Sequence, residues 1–362
     1  MMTGLLARYI GWRFLSAFLA IFVGLFVLTV MVDFIEMMRR TAEIKEASAF
    51  LVGKISLYRV PFLTERLLPF GIMIAVMYAY LDLTRRLELV IARSAGVSVW
   101  QFLWPSIAMV LLLGIAATTL YNPLVVNLRE ISLRLENELW KDNHTLNDSG
   151  NGFWIRQRTS EGHTLINAAF SNNQGVELSS VTIFRLDQAD RFQERIEAKS
   201  AMLEPGVWRL RDVRIYGLDG LTGESSVYEL KTNLTAREAR ESFATPDTVP
   251  FWQLASNIDL VENAGLAAAG YRLQYYRLLL QPLYLVAMVL LAAAVSLRSF
   301  RFGGVQKMVL GGIAGGFALY VVTKVTDDVT NAGLMSPILA ALLPILMGGL
   351  TGLMALLYQE DG

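Results

Sequence analysis

Residues 14–32 read FLSAFLAIFVGLFVLTVMV, and this stretch decides the class of the fold. It contains no charged residue. A helix needs about 20 mostly apolar residues to cross the hydrocarbon core of a bilayer, and this run supplies them. It is longer than the core of a signal peptide, and no small-residue cleavage site follows it, so we expect it to be retained as a membrane span.

Five further apolar runs predict membrane-spanning helices. Glu65 and Arg66 precede the wholly apolar part of the second run, so we place them at or just inside one membrane interface. Six spans put both termini on the same side of the membrane. The five further predicted spans are residues 61–83, 102–121, 278–297, 308–325 and 337–357.

The rest of the composition excludes several classes of function. A formal net charge of zero argues against a nucleic-acid-binding surface, and the lack of cysteine excludes disulfides and thiol catalysis. The two histidines, His144 and His163, are too few for a histidine zinc site or a catalytic triad. No Walker A motif occurs, and we interpret the glycine-rich run GGIAGG at 311–316 as a close helix-packing surface. These features predict a transport or scaffolding protein without a cofactor, not an enzyme, whose energy would come from a partner.

Residues 125–271 have the composition of a soluble domain. The stretch NPLVVNLREISLRLENELW (122–140) has helical spacing and predicts a helix that continues out of the third span. After Asn147 the two-residue period of strands appears, which predicts an antiparallel β-sandwich or jelly roll. We therefore predict an α-helical membrane protein with an inserted β-jellyroll-like domain, divided into residues 1–124, 125–271 and 272–362. The predicted strands are GFWIRQ (152–157), HTLINAAF (163–170), SSVTIFRL (179–186), RFQERIEAKSAML (191–203), GVWRLRDVRIYGL (206–218) and SSVYELKTNL (225–234).

The distribution of basic residues favours a cytoplasmic N-terminus, because short cytoplasmic loops carry an excess of Lys and Arg. Both termini would then be cytoplasmic, and the β domain would lie on the outer side. The cytoplasmic set is Arg8, Arg13, Arg85, Arg86, Arg93, Arg298, Arg301 and Lys307, against Arg39, Arg40, Lys45, Lys54, Arg59 and Lys324 outside.

The stretch TRRLELVIARSAG (84–96) between the second and third spans predicts a short cytoplasmic helix at about residues 85–96. Leu87, Val90 and Ile91 share one face with Ser94, and Gly96 is placed to end the helix. Two interpretations remain open on physical grounds. The helix is either gripped by a cytosolic motor, as in the coupling helices of ATP-binding-cassette permeases, or it rests on the inner leaflet with its arginines on lipid phosphates.

Three stretches carry a resemblance to a known family. ELVIARSAGVSVWQF (88–102), RYIGWRFL (8–15) and YRLQYYRLLLQPL (271–283) resemble the LptF/LptG permease family of the lipopolysaccharide exporter, on the LptG side. The resemblance implies a Gram-negative inner-membrane permease that extracts lipopolysaccharide from the outer leaflet of the inner membrane. It further implies a heterodimer with the related permease LptF, two copies of the cytosolic ATPase LptB, and a handover to a periplasmic bridge that begins with the single-span partner LptC.

The resemblance also implies roles for particular residues. Glu88 falls on the coupling-helix glutamate of the family, so we expect the ATPase-coupling set to be Glu88 with Arg85, Arg86, Leu87, Ile91 and Gly96. Arg39 and Arg40 match a basic pair that contacts lipopolysaccharide phosphates, and Arg129 and Arg134 correspond to further basic positions. The alternative is that these arginines extend to ordinary lipid headgroups. Asp33 departs from the family pattern, because a lysine is expected near it.

Two further expectations concern the path of the lipid. Spans one, two and five would face the partner permease and form the lipid cavity. Inward residues of the β domain would form either an acyl-chain groove or the packed core; examples are Ile155, Ile166, Ile183 and Phe184. The competing functions are a permease for another lipid or a lipoprotein, and an envelope scaffold without transport.

Overall fold

The computed structural model describes residues 3–42, 48–140, 153–159, 162–172, 177–187, 191–217, 220–232, 246–263, 268–302 and 305–361. The chain divides into two compact units. The first comprises Met1–Asn143, Pro250–Leu254 and Ala269–Gly362, and the second comprises His144–Val249 and Ala255–Ala268.

Six helices among the described residues are long and apolar enough to span a membrane, which confirms the predicted number. A five-residue π-helix, Ala117–Tyr121, joins α4 to α5, so that the third span continues into α5 without a break. The short helices α3 and α6 lie outside the spans. The helices are α1 (Thr3–Arg40), α2 (Ala49–Arg85), α3 (Glu88–Ser94), α4 (Val99–Ala116), α5 (Asn122–Trp140), α6 (Phe251–Asn263), α7 (Ala269–Phe302), α8 (Val305–Asn331) and α9 (Pro337–Asp361).

The first two spans are longer than a bilayer requires. α1 has 38 residues and α2 has 37. At 1.5 Å per residue, each is roughly 55 Å long, against about 30 Å of hydrocarbon. Both helices therefore carry their charged ends beyond the hydrocarbon core, where Met37, Val52, Ile55 and Leu139 form a small apolar cluster between α1, α2 and α5.

Glycines allow the spans to pack closely. A Cβ at Gly114 of α4 would lie 2.6 Å from the Cα of Pro282 in α7, so only glycine fits there. In the GGIAGG run, a Cβ at Gly316 would lie 2.8 Å from Met73 Cε of α2. The interpretation of this run as a helix-packing surface is confirmed.

The inserted domain contains one antiparallel sheet of six described strands in sequence order, so each strand pairs with its neighbours along the chain. This confirms the predicted fold class: six span-capable helices with an inserted antiparallel β domain. The strands are β1 (Phe153–Thr159), β2 (Gly162–Asn172), β3 (Glu177–Leu186), β4 (Phe192–Glu204), β5 (Val207–Gly217) and β6 (Gly220–Lys231).

A line of irregular positions crosses the middle of this sheet. Ser180 and Asp212 have positive φ angles of 51° and 54°, and both drop out of the ladders on either side. Positive φ is uncommon for residues other than glycine, and here it leaves the register of the strands unchanged. The register shifts of the sheet lie elsewhere, between Arg185 and Leu186 and between Ile215 and Tyr216. The buried positions are spaced three apart across this line instead of two, which keeps the apolar residues on one face. Examples are Leu178 with Val181, Ala198 with Ala201, and Leu210 with Val213.

That face forms the core of the second unit. Ile166 and Ile183 are each 1% exposed and lie in this cluster, around the fully buried Trp208. Phe184 follows Ile183 in β3 and is half-buried outside the cluster. The described positions therefore place Ile166 and Ile183 in the packed core; the side chain of Ile155 lies outside the described part of the chain.

Candidate functional site

The turn between α2 and α3 is set by one strained residue. α2 ends at Arg85, and Leu87 adopts a left-handed backbone with φ 62° immediately before Glu88. This conformation costs energy for a residue with a Cβ and is typical of sharp, functionally constrained turns. The helix is therefore shorter than the predicted segment 85–96: Arg85 belongs to α2, while Arg86 and Leu87 form the turn.

The other end of α3 is closed by a Schellman motif. The Gly96 N–H donates to the Arg93 carbonyl at 3.0 Å, and the Val97 N–H donates to the Ala92 carbonyl at 3.1 Å. Gly96 has φ 84°, the left-handed conformation that glycine adopts without cost. The predicted end of the helix at Gly96 is confirmed.

α3 buries one residue and exposes an apolar face. Leu89 is 5% exposed and packs into the core of the helical unit. Leu87, Val90 and Ile91 are 59%, 50% and 65% exposed. The exposed Val90 and Ile91 of this short helix, together with the exposed Leu87 of the preceding turn, present a surface suited to a partner.

Glu88 accepts a hydrogen bond from α1, the first span. The Tyr9 hydroxyl of α1 donates to Glu88 Oε1 at 3.2 Å. The same phenol oxygen accepts hydrogen bonds from Arg13 Nε and Nη2, at 3.1 and 3.0 Å. Glu88 is thus connected through Tyr9 to the side chain of Arg13, one turn further along α1.

The connection continues to α2. Arg13 Nη1 lies 3.0 Å from Asp82 Oδ2, and Asp82 also pairs with Arg86 Nε at 3.1 Å. A cavity of about 220 Å³ adjoins these three side chains, with Ser16 and Tyr78 among its other lining residues. The Arg13–Asp82 pair is partly hydrated, since the two side chains are 30% and 26% exposed.

Arg39 and Arg40 lie at the opposite end of α1, in its last turn. Both guanidinium groups pair with the carboxylate of Glu36 at 2.8 Å. They are 76% and 59% exposed. Two cations sharing one carboxylate leave an excess of one positive charge, and guanidinium groups suit phosphate oxygens.

The other two predicted basic residues differ from each other. The Arg129 guanidinium stacks on the Phe62 ring, with its Cζ 3.8 Å from the ring centroid, and the side chain is half-buried. Arg134 is 72% exposed and pairs with Glu130 at 2.6 Å. Arg129 therefore packs between α2 and α5, whereas Arg134 is displayed on the surface.

Asp33, the departure from the family pattern, belongs to a buried charge cluster. Arg59 of α2 lies 2.8 Å from Asp33 of α1 and 3.4 Å from Glu136 of α5. The side chains of Asp33 and Arg59 are 10% and 16% exposed. The cluster ties three helices together, so the acidic residue is satisfied within the chain. Among the residues that the structure describes, no group of three or more His, Asp and Glu side chains, this cluster included, could hold a metal ion.

A family comparison decides the identity of this arrangement. The model of the lipopolysaccharide export system permease LptF/LptG matches residues 8–358. The chain belongs to the LptF/LptG family.

Individual members of the LptF/LptG family also match the chain over nearly its whole length. The lipopolysaccharide export system permease protein LptG of Escherichia coli strain K12 is 24% identical over 359 residues, which cover 94% of each chain. The LptG protein of Haemophilus influenzae (strain ATCC 51907 / DSM 11121 / KW20 / Rd) is 25% identical over 370 residues, or 96% of each chain. The resemblance on the LptG side of the family agrees with these relatives.

Some functionally placed residues of this LptF/LptG-family chain escape sequence reasoning. Tyr9 and Arg13 are one turn apart in RYIGWRFL, a stretch that carries the family resemblance, yet nothing in it indicates a bond to Glu88. Leu89 is the anchor of α3. Its spacing from Ala92 is a detectable helical signal, but Val90 and Ile91 give the opposite face an equally apolar pattern.

Proposed function

We propose that this chain is the transmembrane permease subunit of an ATP-driven lipopolysaccharide exporter, and that it works without a nucleotide site of its own. The observation that carries the proposal is the family match over residues 8–358. Two structural features support it. An exposed apolar helix follows α2 at one end of the spans, and an exposed arginine pair ends α1 at the other.

The proposal places α3 in the cytoplasm, as the distribution of basic residues favours. There, Leu87 and Ile91 fill an apolar groove on a cytosolic ATPase, which is LptB in two copies for the whole complex. Glu88 makes a charge-assisted bond with a basic residue of the motor. A carboxylate accepts several hydrogen bonds, so the bond from Tyr9 leaves acceptor positions on Glu88 for the partner. Arg85 and Arg86 flank this surface, and Gly96 ends it.

The lipid cavity is proposed to form against a second permease, LptF. In an 18-residue apolar stretch of each helix, only 11% of the residues of α1 and 22% of those of α8 are buried within this chain. The corresponding share for α2 is 67%. α1 and α8 therefore supply free apolar surface for acyl chains and for the partner. α2 contributes less of the wall than its place in the predicted cavity implies, because it is central to the chain's own core.

The outer rim of the cavity is proposed to hold the phosphates of the lipid. Arg39 and Arg40 have the exposure and the excess charge for this role, and Arg134 is exposed as well. Arg129 is held against Phe62, so it contributes through the field of its charge. The β domain, on the periplasmic side, then passes the lipid to a bridge that begins with LptC.

The experiment is photocrosslinking of lipopolysaccharide to the cavity, combined with mass spectrometry of the lipid that co-purifies from native membranes. Replacing Arg39 and Arg40 with Glu should lower crosslinking by about fivefold or more, because both guanidinium forks are lost and the charge is reversed. Lys54→Glu is the control, since Lys54 is an exposed cation near the start of α2.

Three results would contradict the proposal. Equal crosslinking in the double variant and the wild type would assign the arginines to ordinary headgroups. Co-purification of another lipid or of a lipoprotein would indicate a different cargo. Purification in gentle detergent without any ATPase would indicate an envelope scaffold.

A further inference from the structure

We propose that Tyr9, Arg13 and Asp82 are positioning residues that fasten α3 to α1, so that a movement of α3 reaches the helix that carries Arg39 and Arg40. The inference rests on the proposed function and specifies how force passes through this chain.

The covalent connection alone does not deliver force to α1. α3 follows α2 through Arg86 and Leu87, so a pull on α3 acts first on α2. α1 is separated from α3 by the whole of α2 along the sequence. Tyr9 bridges the gap directly, because its hydroxyl bonds Glu88 across 79 sequence positions.

The bridge gains strength from its charges. The Tyr9 oxygen accepts two N–H groups of the Arg13 guanidinium, which makes its own O–H a better donor to the Glu88 carboxylate. Arg13 is held in turn by Asp82 of α2. Two carboxylates and the guanidinium groups of Arg13 and Arg86 balance in charge, so removal of one member leaves an uncompensated group on a neighbour.

A second bridge joins the same two helices at their other end. Asp33 lies 20 positions after Arg13 on α1, which at 1.5 Å per residue is about 30 Å, the thickness of the hydrocarbon core. Arg59 of α2 holds Asp33 there at 2.8 Å. α1 and α2 are therefore fastened at both membrane interfaces.

The two bridges differ in their surroundings. The Asp33–Arg59 pair is the more buried, whereas the Arg13–Asp82 pair is partly hydrated and adjoins the cavity of about 220 Å³. A hydrated pair can rearrange at lower cost than a buried one, because water replaces a lost partner. The Tyr9–Arg13–Asp82 end is thus the adjustable attachment, next to the surface on which the motor would act.

The test uses the complete complex, with its ATPase and partner permease, in lipid nanodiscs. The measured quantity is the lipopolysaccharide released per ATP hydrolysed. Tyr9→Phe and Arg13→Gln should retain bound ATPase and ATP hydrolysis, while release per ATP falls about threefold or more, since each removes a charge-assisted bond. Arg13→Lys keeps the ion pair with Asp82 and should recover part of the loss. A purely structural role would lower the yield of complex but leave the ratio unchanged.

Ser16→Ala is the matched control. Ser16 lines the same cavity, but its hydroxyl bonds the Arg13 carbonyl of its own helix and does not reach α2. Unchanged release per ATP in both Tyr9→Phe and Arg13→Gln would overturn the inference, as would an equal loss in Ser16→Ala or no recovery in Arg13→Lys. A wild-type complex that neither hydrolyses ATP nor releases lipopolysaccharide would refute the proposed function itself, which distinguishes the two failures.

Discussion

Replacing Arg59 with Met should lower the free energy of unfolding of the helical unit by more than the loss of a single contact would. Arg59 holds Asp33 at 2.8 Å and Glu136 at 3.4 Å, and its side chain is 16% exposed. Without the guanidinium, two carboxylates from α1 and α5 remain close together, partly buried and unneutralised. Breaking a buried ion pair from one side costs about 3–5 kcal/mol, mostly because the remaining charge is left without a partner.

The expected size follows from this position. At the low end, a loss of about 3 kcal/mol corresponds to a fall of about 6 °C or more in the midpoint of thermal unfolding, at roughly 2–4 °C per kcal/mol. The triple variant Arg59→Met, Asp33→Leu and Glu136→Met removes every charge in the cluster and keeps its apolar volume. Its midpoint should return to near the wild-type value, because well-packed apolar groups replace a buried ion pair at little cost.

Scanning fluorimetry of the purified protein in one detergent measures all three midpoints. The expected order of the midpoints is wild type highest, the triple variant at or near it, and Arg59→Met well below both. A single variant as stable as the wild type would show that the cluster is solvated. A triple variant less stable than Arg59→Met would show that the charges themselves hold α1, α2 and α5 together.

Two further substitutions probe packing. Gly114→Ala should lower the thermal midpoint of the helical unit, because its Cβ would approach the Pro282 backbone to 2.6 Å; Gly315→Ala, with no atom within 4 Å, should not. Equal midpoints would contradict the close packing of α4 on α7. Trp208→Ala should destabilise the β unit by about 3–5 kcal/mol, measured as faster hydrogen exchange in its strands. Val227→Ala, at a 48%-exposed position, is the control, and similar exchange in both variants would contradict the assigned core.

The sequence predicts the membrane helices better than their ends. All six spans correspond to apolar runs, because the hydrocarbon core demands a fixed length of apolar helix. The first span extends from residue 3 to 40 instead of 14 to 32, since its polar ends carry no apolar signal beyond the bilayer. The bounds of the helix 122–140 are predicted correctly, because apolar residues recur at helical spacing along this segment after the third apolar run ends.

In the β domain, the sequence likewise predicts the positions of the strands better than their arrangement in the sheet. Alternation locates all six strands to within a few residues, since one face is buried. It does not give their order in the sheet, because the same alternation fits a sandwich or jelly roll as well as the observed sheet, in which each strand pairs with its neighbours along the chain. The positive φ angles of Ser180 and Asp212 could not be predicted either, because neither serine nor aspartate by itself indicates a left-handed backbone.

The sequence predicts the site only where a local residue pattern, such as helical spacing, indicates it. The exposed face of α3 and its end at Gly96 follow from helical spacing. The bonds Tyr9–Glu88 and Arg59–Asp33 join residues 79 and 26 positions apart, and no periodicity connects them. The sequence therefore identifies Asp33 only as a departure from the family pattern. The structure gives the physical reason that the acid is tolerated: Arg59 neutralises it.

The central claim, that α3 transmits the work of a partner ATPase, is tested most directly by Glu88→Ala in the complex purified from native membranes. Ser16→Ala is the control, because Ser16 lies on α1, outside the α3 surface, and its hydroxyl donates to the Arg13 carbonyl of its own helix. We expect that Glu88→Ala either loses the co-purifying ATPase or hydrolyses ATP without releasing lipopolysaccharide, while Ser16→Ala does neither. Wild-type amounts of ATPase together with wild-type release of lipopolysaccharide from the Glu88→Ala complex would contradict it.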